Sequence, residues 1–309
     1  MTVLTHTSDL MAAAERLSIM CNLTPTILVE RAAGCEIWAK LEHQHPSGST
    51  KDRVAAQIVA DGIKRGHITP DTVVVEASSG SMSISLAMAC SLAGIRFIAV
   101  MPANVTPERC VMIRGLGGEV VLTDPDSGMA AALAEVERLA AESDDVFLPH
   151  QFENRLNTDV HASTTGEELL AQVPGTIAAF VAGVGTGGTL TGVARALRSE
   201  TTDVVIAEAH PVGRGGGIST AVPGVVDGYS KLLATQPADR HISVLADDAL
   251  TAARDLIARG FPVRPSSGLN LAAARQLAGE VGEDRIATIF PDRMERYFSS
   301  ALFTDLGGR

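Results

Sequence analysis

The feature that most limits the fold is an alternation. Short apolar runs rich in β-branched residues take turns with longer stretches of helical character. Val73-Val74-Val75-Glu76 leads through a Ser/Gly turn into the small apolar run from Ile84 to Ala93. Phe97–Met101 precedes a helical stretch from Pro107 to Leu116, and Glu119–Leu122 precedes one from Met129 to Ala141. Beyond Pro149-His150 the order returns. Phe180-Val181-Ala182 comes before Gly188–Leu197, followed by Val204–Ala207, helices near 248–259 and 268–280, and a last strand at Ile286–Phe290. Almost wholly apolar strands separated by helices fit parallel sheets covered on both faces. The expected fold class is α/β, with two domains, each a mostly parallel twisted sheet flanked by helices. A ligand is expected between them, at the C-terminal ends of strands.

Length and composition agree with a globular enzyme. The 309 residues suit two domains, and 46% hydrophobic with 20% charged residues can bury a core. A net charge of −11 argues against nucleic acid as a partner, because phosphate backbones call for a basic face. Backbone N–H groups can still hold a local anion. Cys21, Cys35, Cys90 and Cys110 form no CxxC pair, and no His cluster has metal-ligand spacing. They read as reduced thiols of a cytoplasmic protein, with no metal site expected. The first residues lack a secretion signal, and no apolar stretch is long enough to span a membrane.

Four segments carry candidate chemistry. In Ser47-Gly48-Ser49-Thr50-Lys51-Asp52-Arg53, small residues open a helix near Lys51. The positive end of that helix disfavours protonated Lys51, which is what imine formation needs; the alternative is an exposed lysine paired with Asp52. Gly183-Val184-Gly185-Thr186-Gly187-Gly188-Thr189 follows a strand and opens a helix, so its N–H groups and hydroxyls suit an anion. The spacing is neither the dinucleotide fingerprint nor a P-loop, which favours a small phosphate over NAD or ATP; a packing turn is the alternative. Glu76-Ala77-Ser78-Ser79-Gly80-Ser81-Met82-Ser83, at a strand-to-helix turn, can nest a carboxylate or simply cap a helix. Pro265-Ser266-Ser267-Gly268 opens a further helix, where capping accounts for one serine. The Gly-rich run at 213–217 and Pro223-Gly224 read as a mobile active-site loop.

Together and in this order, these segments resemble the cysteine synthase and cystathionine β-synthase family of pyridoxal-phosphate enzymes. This is the fold-type II group, with a tryptophan synthase β-like architecture. The resemblance runs from Leu23-Thr24-Pro25-Thr26 through Gln151-Phe152-Glu153-Asn154 to Phe290-Pro291-Asp292 and Arg296-Tyr297-Phe298. It implies a larger phosphate-binding domain of residues 1–43 plus 151–309. A smaller mobile domain of residues 44–150 would carry Lys51 and the carboxylate loop. It also implies pyridoxal 5′-phosphate as cofactor, with Lys51 forming the internal aldimine and acting as base at Cα. Gly185, Thr186, Gly187, Gly188 and Thr189 would hold the phosphate, and Ser266 the pyridine nitrogen. Ser78, Ser79, Gly80, Ser81 and Met82, with Gln151, would receive the substrate carboxylate.

A neutral Ser266 partner leaves the pyridine nitrogen unprotonated. Loss of a β leaving group then competes well with protonation at Cα, giving an aminoacrylate to which a small nucleophile adds. The implied reaction is β-replacement on serine or an O-activated serine by a cytoplasmic homodimer. The alternatives are β-elimination or isomerisation, as in an ammonia-lyase, desulfhydrase or racemase, and a non-catalytic cofactor-binding regulator. Two departures stand out. The family's sulfhydrylases usually read Thr-Ser-Gly-Asn-Thr-Gly where this chain has Ser78–Ser83, so Ser81 replaces an Asn that contacts the cofactor and Met82 a hydroxyl donor. Asp227, in Gly224–Tyr229, stands in an otherwise apolar stretch. It would face the incoming or leaving group, repelling phosphate-bearing substrates and suiting an amine or hydroxyl; a solvent-facing loop residue is the alternative.

Overall fold

A computed structural model describes residues 7–21, 23–78, 80–215, 217, 219–225, 230–233, 237–281 and 284–303. From the N-terminus, α1 (Thr7–Met20) precedes β1 (Thr26–Ala32) and β2 (Cys35–Lys40). Next come α2 (Lys51–Lys64), β3 (Val73–Ala77), α3 (Ser81–Ala93), β4 (Arg96–Pro102) and α4 (Pro107–Gly115). β5 (Glu119–Thr123), α5 (Gly128–Ala141) and the short β6 (Val146–Phe147) follow. An interrupted helix then runs through α6 (Leu156–Val160), a π-helical turn at His161–Gly166 and α7 (Glu167–Gln172). β7 (Ile177–Gly183), α8 (Gly188–Glu200), β8 (Val205–Val212), β9 (Arg240–Leu245), α9 (Ala246–Ala258), α10 (Pro265–Val281) and β10 (Arg285–Ile289) complete the order.

The chain divides into two compact units, Met1–Asn22 with His45–Leu156, and Leu23–Gln44 with Asn157–Arg309. Helix α1 and residues 151–156, grouped with the larger domain by the sequence reading, fall instead with the smaller unit. For α1 the physical reason is that it lies against α2 and α3.

The smaller unit holds a four-stranded sheet in the order β5-β4-β3-β6, and every pairing is parallel. On one face Ala132 and Val136 of α5 close over Val75, Ala77 and Val100. α3 explains its own position. It is apolar nearly all round, and Met82, Ile84, Leu86, Ala87, Ala89, Cys90 and Ala93 are all buried. A helix without a polar face must be covered on every side, and α1, α2 and α4 cover it.

The larger unit holds a six-stranded sheet in the order β1-β2-β10-β7-β8-β9. Only β1 and β2 pair antiparallel. Ala33 and Gly34 join them with φ of 48° and 86°, the two positive angles that a two-residue hairpin turn demands. Leu269, Leu271, Ala274 and Leu277 of α10 cover one face of the sheet, and Leu190, Val193 and Leu197 of α8 cover the other. Side chains such as Phe180 and Ile286 are wholly buried there, each contributing roughly 1.5–3 kcal/mol. α9 and α10 meet at Gly268, where a Cβ would stand 2.0 Å from the Ala249 carbonyl oxygen. That contact fixes the N-terminal turn of α10. Among the described residues no helix is long and apolar enough to cross a membrane. All four cysteines are buried and none forms a disulfide, and burial pushes the Cys90 thiol well above its ordinary range.

Candidate active site

Lys51 is the first residue of α2 and is half-buried. Its neighbour Asp52 does not form the exposed pair that a lone helix-start lysine would make. Asp52 is wholly buried and turned inward. It accepts the Ser47 N–H at 2.7 Å, the Ser47 hydroxyl, and the Ser85 hydroxyl at 2.5 Å. Burial raises its pKa, and the bonds from Ser47 and Ser85 oppose the rise. One carboxylate therefore closes the 47–52 turn on itself and ties it to α3. The backbone that carries Lys51 is held from both sides.

The serine turn lies where β3 meets α3. Ser78 donates its N–H to the Val100 carbonyl at 3.1 Å, and its hydroxyl accepts the Gly80 N–H at 3.1 Å. Gly80 has φ of 150°, and a Cβ there would stand 2.4 Å from Cδ of Arg109, so the turn admits only glycine. Ser81 begins α3, while the Met82 side chain is buried. Gln151 reaches the same strand end. Its N–H meets Glu76 at 3.0 Å and its side-chain amide donates to the Ala77 carbonyl at 2.8 Å. Glu76 also accepts the Ala77 N–H at 2.9 Å. Complete burial pushes the Glu76 carboxyl up to about 8, against the pull of those two N–H groups. The smaller unit thus gathers Lys51, Ser78, Gly80, Ser81 and Gln151 on elements that are bonded to one another. Ser79 lies outside the described residues.

The glycine turn in the larger unit runs from the end of β7 into α8. Gly187, with φ of 80°, caps α8. A Cβ on Gly185 would stand 2.7 Å from the Gly224 carbonyl oxygen, and one on Gly188 would stand 2.0 Å from Asn157 Oδ1. Asn157 donates to the Thr186 hydroxyl at 3.0 Å. Thr189 Oγ1 lies 3.2 Å from His161 Nε2, and His161 Nδ1 lies 2.9 Å from Thr165 Oγ1. Both His161 and Thr165 belong to the π-helical turn, a distortion frequent at functional sites. At the other end, Asn270 of α10 accepts the Gly183 N–H at 2.7 Å and donates to the Ile289 carbonyl at 2.8 Å. Asn270 therefore fastens the glycine turn to the helix whose first turn carries Ser266.

Ser266 is buried, and its hydroxyl has no hydrogen-bond partner among the described residues. Arg264, two residues earlier, bonds Asp292 and the Pro223 carbonyl, and its guanidinium lies 5.0 Å over the Tyr297 ring. It steadies the segment leading toward Asp227, which itself lies outside the described residues. Sequence reading included Glu76 in the serine-turn segment without giving it a role, and it passed over Asn157, Asn270 and Arg264. Each acts by contact with a distant segment, and no local pattern announces such contacts.

Does this arrangement suit a phosphorylated pyridine? The glycine turn offers N–H groups, two threonine hydroxyls and the positive end of α8, with no carboxylate in it, which fits a phosphate. The Ser266 hydroxyl is a buried polar atom awaiting a neutral partner, which fits a ring nitrogen. Features of this kind define a class of α/β enzymes that hold a small phosphorylated cofactor at a helix N-terminus. Residues 20–292 match the family described as pyridoxal-phosphate dependent enzyme, and the chain belongs to that family. It is 35% identical over 299 residues to cysteine synthase B of Campylobacter jejuni, spanning 95% of this chain and all of that one. The structure of O-ureido-L-serine synthase superposes with a TM-score of 0.87 at 31% identity, covering 93% and 94% of the two chains. The O-acetylserine dependent cystathionine beta-synthase of Helicobacter pylori gives a TM-score of 0.86 at 28% identity, covering 93% and 98%. These are fold-type II enzymes, as the sequence resemblance implied.

Proposed function

We propose that the chain replaces the β-substituent of an O-activated serine with a small nucleophile. The observation that carries this reading is the Ser266 hydroxyl, buried at the first turn of α10 and lacking a partner among the described residues. Bound pyridoxal phosphate supplies an electron sink that loosens the Cα proton and the β leaving group of an attached amino acid. Ser266 would meet the ring nitrogen with a neutral hydroxyl, which would not keep that nitrogen protonated as a carboxylate would, and this would favour loss of a β-group over proton return at Cα. The relatives and neighbours support the same class. One is named for making cysteine, one for its dependence on O-acetylserine and one for making O-ureido-L-serine.

The protein's own residues supply position and proton transfer. Lys51 Nζ anchors the cofactor and then takes the Cα proton. The backbone and hydroxyls of Gly185, Thr186, Gly187, Gly188 and Thr189 hold the phosphate. The turn from Ser78 to Met82, with Gln151, receives the substrate carboxylate. Glu76 sits beneath that turn, and its protonated form keeps a negative charge away from the incoming carboxylate below about pH 8. Asp227 is assigned to the nucleophile, favouring an amine or hydroxyl over a phosphate-bearing acceptor. Cytoplasmic homodimers are part of the same reading.

The test supplies O-acetylserine with and without a nucleophile. Acetate release that depends on the nucleophile supports replacement, whereas steady pyruvate formation without one identifies an ammonia-lyase instead. Lys51→Ala is expected to abolish turnover, losing at least about four orders of magnitude, as removal of a covalent catalyst does. Its melting temperature without cofactor should stay at the parent value, and turnover at the parent rate removes the role given to Lys51.

A further inference from the structure

β8 and β9 lie side by side at one edge of the six-stranded sheet, in parallel register with Glu208 opposite His241. Glu208 and His210, two residues apart, share one face of β8. Three side chains therefore converge. Glu208 Oε2 lies 3.1 Å from His210 Nε2 and 3.2 Å from His241 Nδ1, and the two ring nitrogens are 3.3 Å apart. The imidazoles are tilted by 39°, so neither stacks on the other.

Protons alone do not satisfy this triangle. If both nitrogens carry hydrogen, each donates to the carboxylate, but their N–H groups oppose each other across 3.3 Å. With one proton, the bare nitrogen faces the carboxylate lone pairs. With none, three lone pairs converge. With the carboxylate ionised, every placement of protons on these two nitrogens leaves at least one repulsive contact, whereas a cation at the centre makes all three attractive. The dimensions agree. Donors about 2.0–2.1 Å from a tetrahedral metal lie roughly 3.3 Å apart, and a point about 2.1 Å from all three atoms sits about 1 Å off their plane. The three donor atoms already stand at that spacing.

We propose that Glu208, His210 and His241 bind a borderline divalent transition-metal ion such as Zn²⁺, with an open position for water. Two imidazoles and one carboxylate exclude Ca²⁺ and Mg²⁺, which require oxygen ligands. Glu208 is largely buried and His241 exposed, so the ion enters from solvent and bridges β9, the edge strand, to β8. Spacing along the chain did not disclose the site, because His241 arrives through strand register. The site involves none of the residues assigned to catalysis.

The test uses chelator-stripped holoenzyme titrated with Zn²⁺ against a chromogenic competitor. The expected result is one site per chain that raises the melting temperature. Affinity should fall at least about tenfold in His241→Ala and again in His210→Gln. Because His241 is exposed, its variant should melt at the parent temperature without metal. Co²⁺ should give tetrahedral visible bands without thiolate charge transfer, which separates this site from the four cysteines. Absence of binding, equal affinity in parent and variants, sulfur-to-metal bands, or displacement by equimolar Mg²⁺ would each overturn the assignment.

Discussion

Glu76→Gln isolates the energetic consequence of a carboxyl buried beneath the substrate turn. The parent side chain accepts the N–H groups of Ala77 and Gln151 at 2.9 and 3.0 Å. Its pKa nevertheless rises from 4.5 to about 8, because desolvation outweighs both bonds. In the folded protein Glu76 stays protonated up to about pH 8, whereas in the unfolded chain it ionises near 4.5. Across that window the native state binds more protons, so stability falls as pH rises and levels off above the folded-state value. The slope approaches 1.4 kcal/mol per pH unit, and the loss from pH 5 to pH 8 is on the order of 4 kcal/mol.

Glutamine has no proton to lose, so that slope should disappear. Its amide offers one acceptor oxygen where the acid offered two, leaving the N–H of Ala77 or Gln151 short of a partner. That costs about 1–3 kcal/mol at every pH. The two stability curves should therefore cross, with the variant weaker at pH 5 and stronger near pH 9. Urea midpoints of both proteins, measured at matched ionic strength from pH 5 to 9, provide the check. The buried Asp52 carboxyl shifts in the same direction but is common to both proteins and cancels in the difference. Parallel curves would show that Glu76 ionises alike in the folded and unfolded chain, and the reasoning would fail.

Gly188→Ala brings a Cβ within 2.0 Å of Asn157 Oδ1 and should displace the amide that holds Thr186. We expect cofactor affinity to drop about tenfold or more, read by fluorescence titration; unchanged affinity would mean that the turn yields without consequence. His43 is pushed down to about 4, chiefly by burial, so the unfolded chain binds its proton first as pH falls. Stability should decline between pH 6.5 and 4 by roughly 3 kcal/mol, and His43→Asn should flatten that acid limb in melting experiments. Asp227→Ala should alter kcat/KM among nucleophiles more than it alters cofactor affinity; identical values across a panel of acceptors would remove Asp227 from the acceptor side.

Much of the architecture was legible because burial on both faces imposes a simple pattern. Val73–Glu76, Phe97–Met101 and Phe180–Ala182 are strands for the reason their composition suggests. The β1–β2 hairpin escaped notice because its turn is Ala33-Gly34, and alanine rarely accepts a positive φ. β9 was also missed. As an edge strand it alternates exposed and buried residues, so it lacks the continuous apolar run of its neighbours. At the site, the glycine and serine turns were readable from local chemistry. Ser266 was not, since a serine at a helix start is ordinarily a cap, and only resemblance singled it out. Asn157 and Asn270 are ordinary residues in sequence, given meaning by Thr186, 29 positions away, and Gly183, 87 positions away.

Those distant pairs explain how a site built on turns is held still. Apolar burial fixes helices and strands but has no direction, so it cannot set the angle of a loop whose backbone must face a ligand. Here direction comes from buried polar side chains. Asp52 reaches Ser85, Glu76 reaches Gln151, Asn157 reaches Thr186, and Asn270 reaches Gly183. Each joins a functional turn to an element already locked in a core. Removing one partner leaves a buried donor or acceptor unmet, at about 1–3 kcal/mol. Trimming a methyl group from the neighbouring core costs about 0.5–1.5 kcal/mol. Conservative changes at these four side chains should therefore disturb the turns more than comparable changes in the sheets they hang from. The apolar core decides where each turn lies, and the hydrogen bonds decide which way it faces.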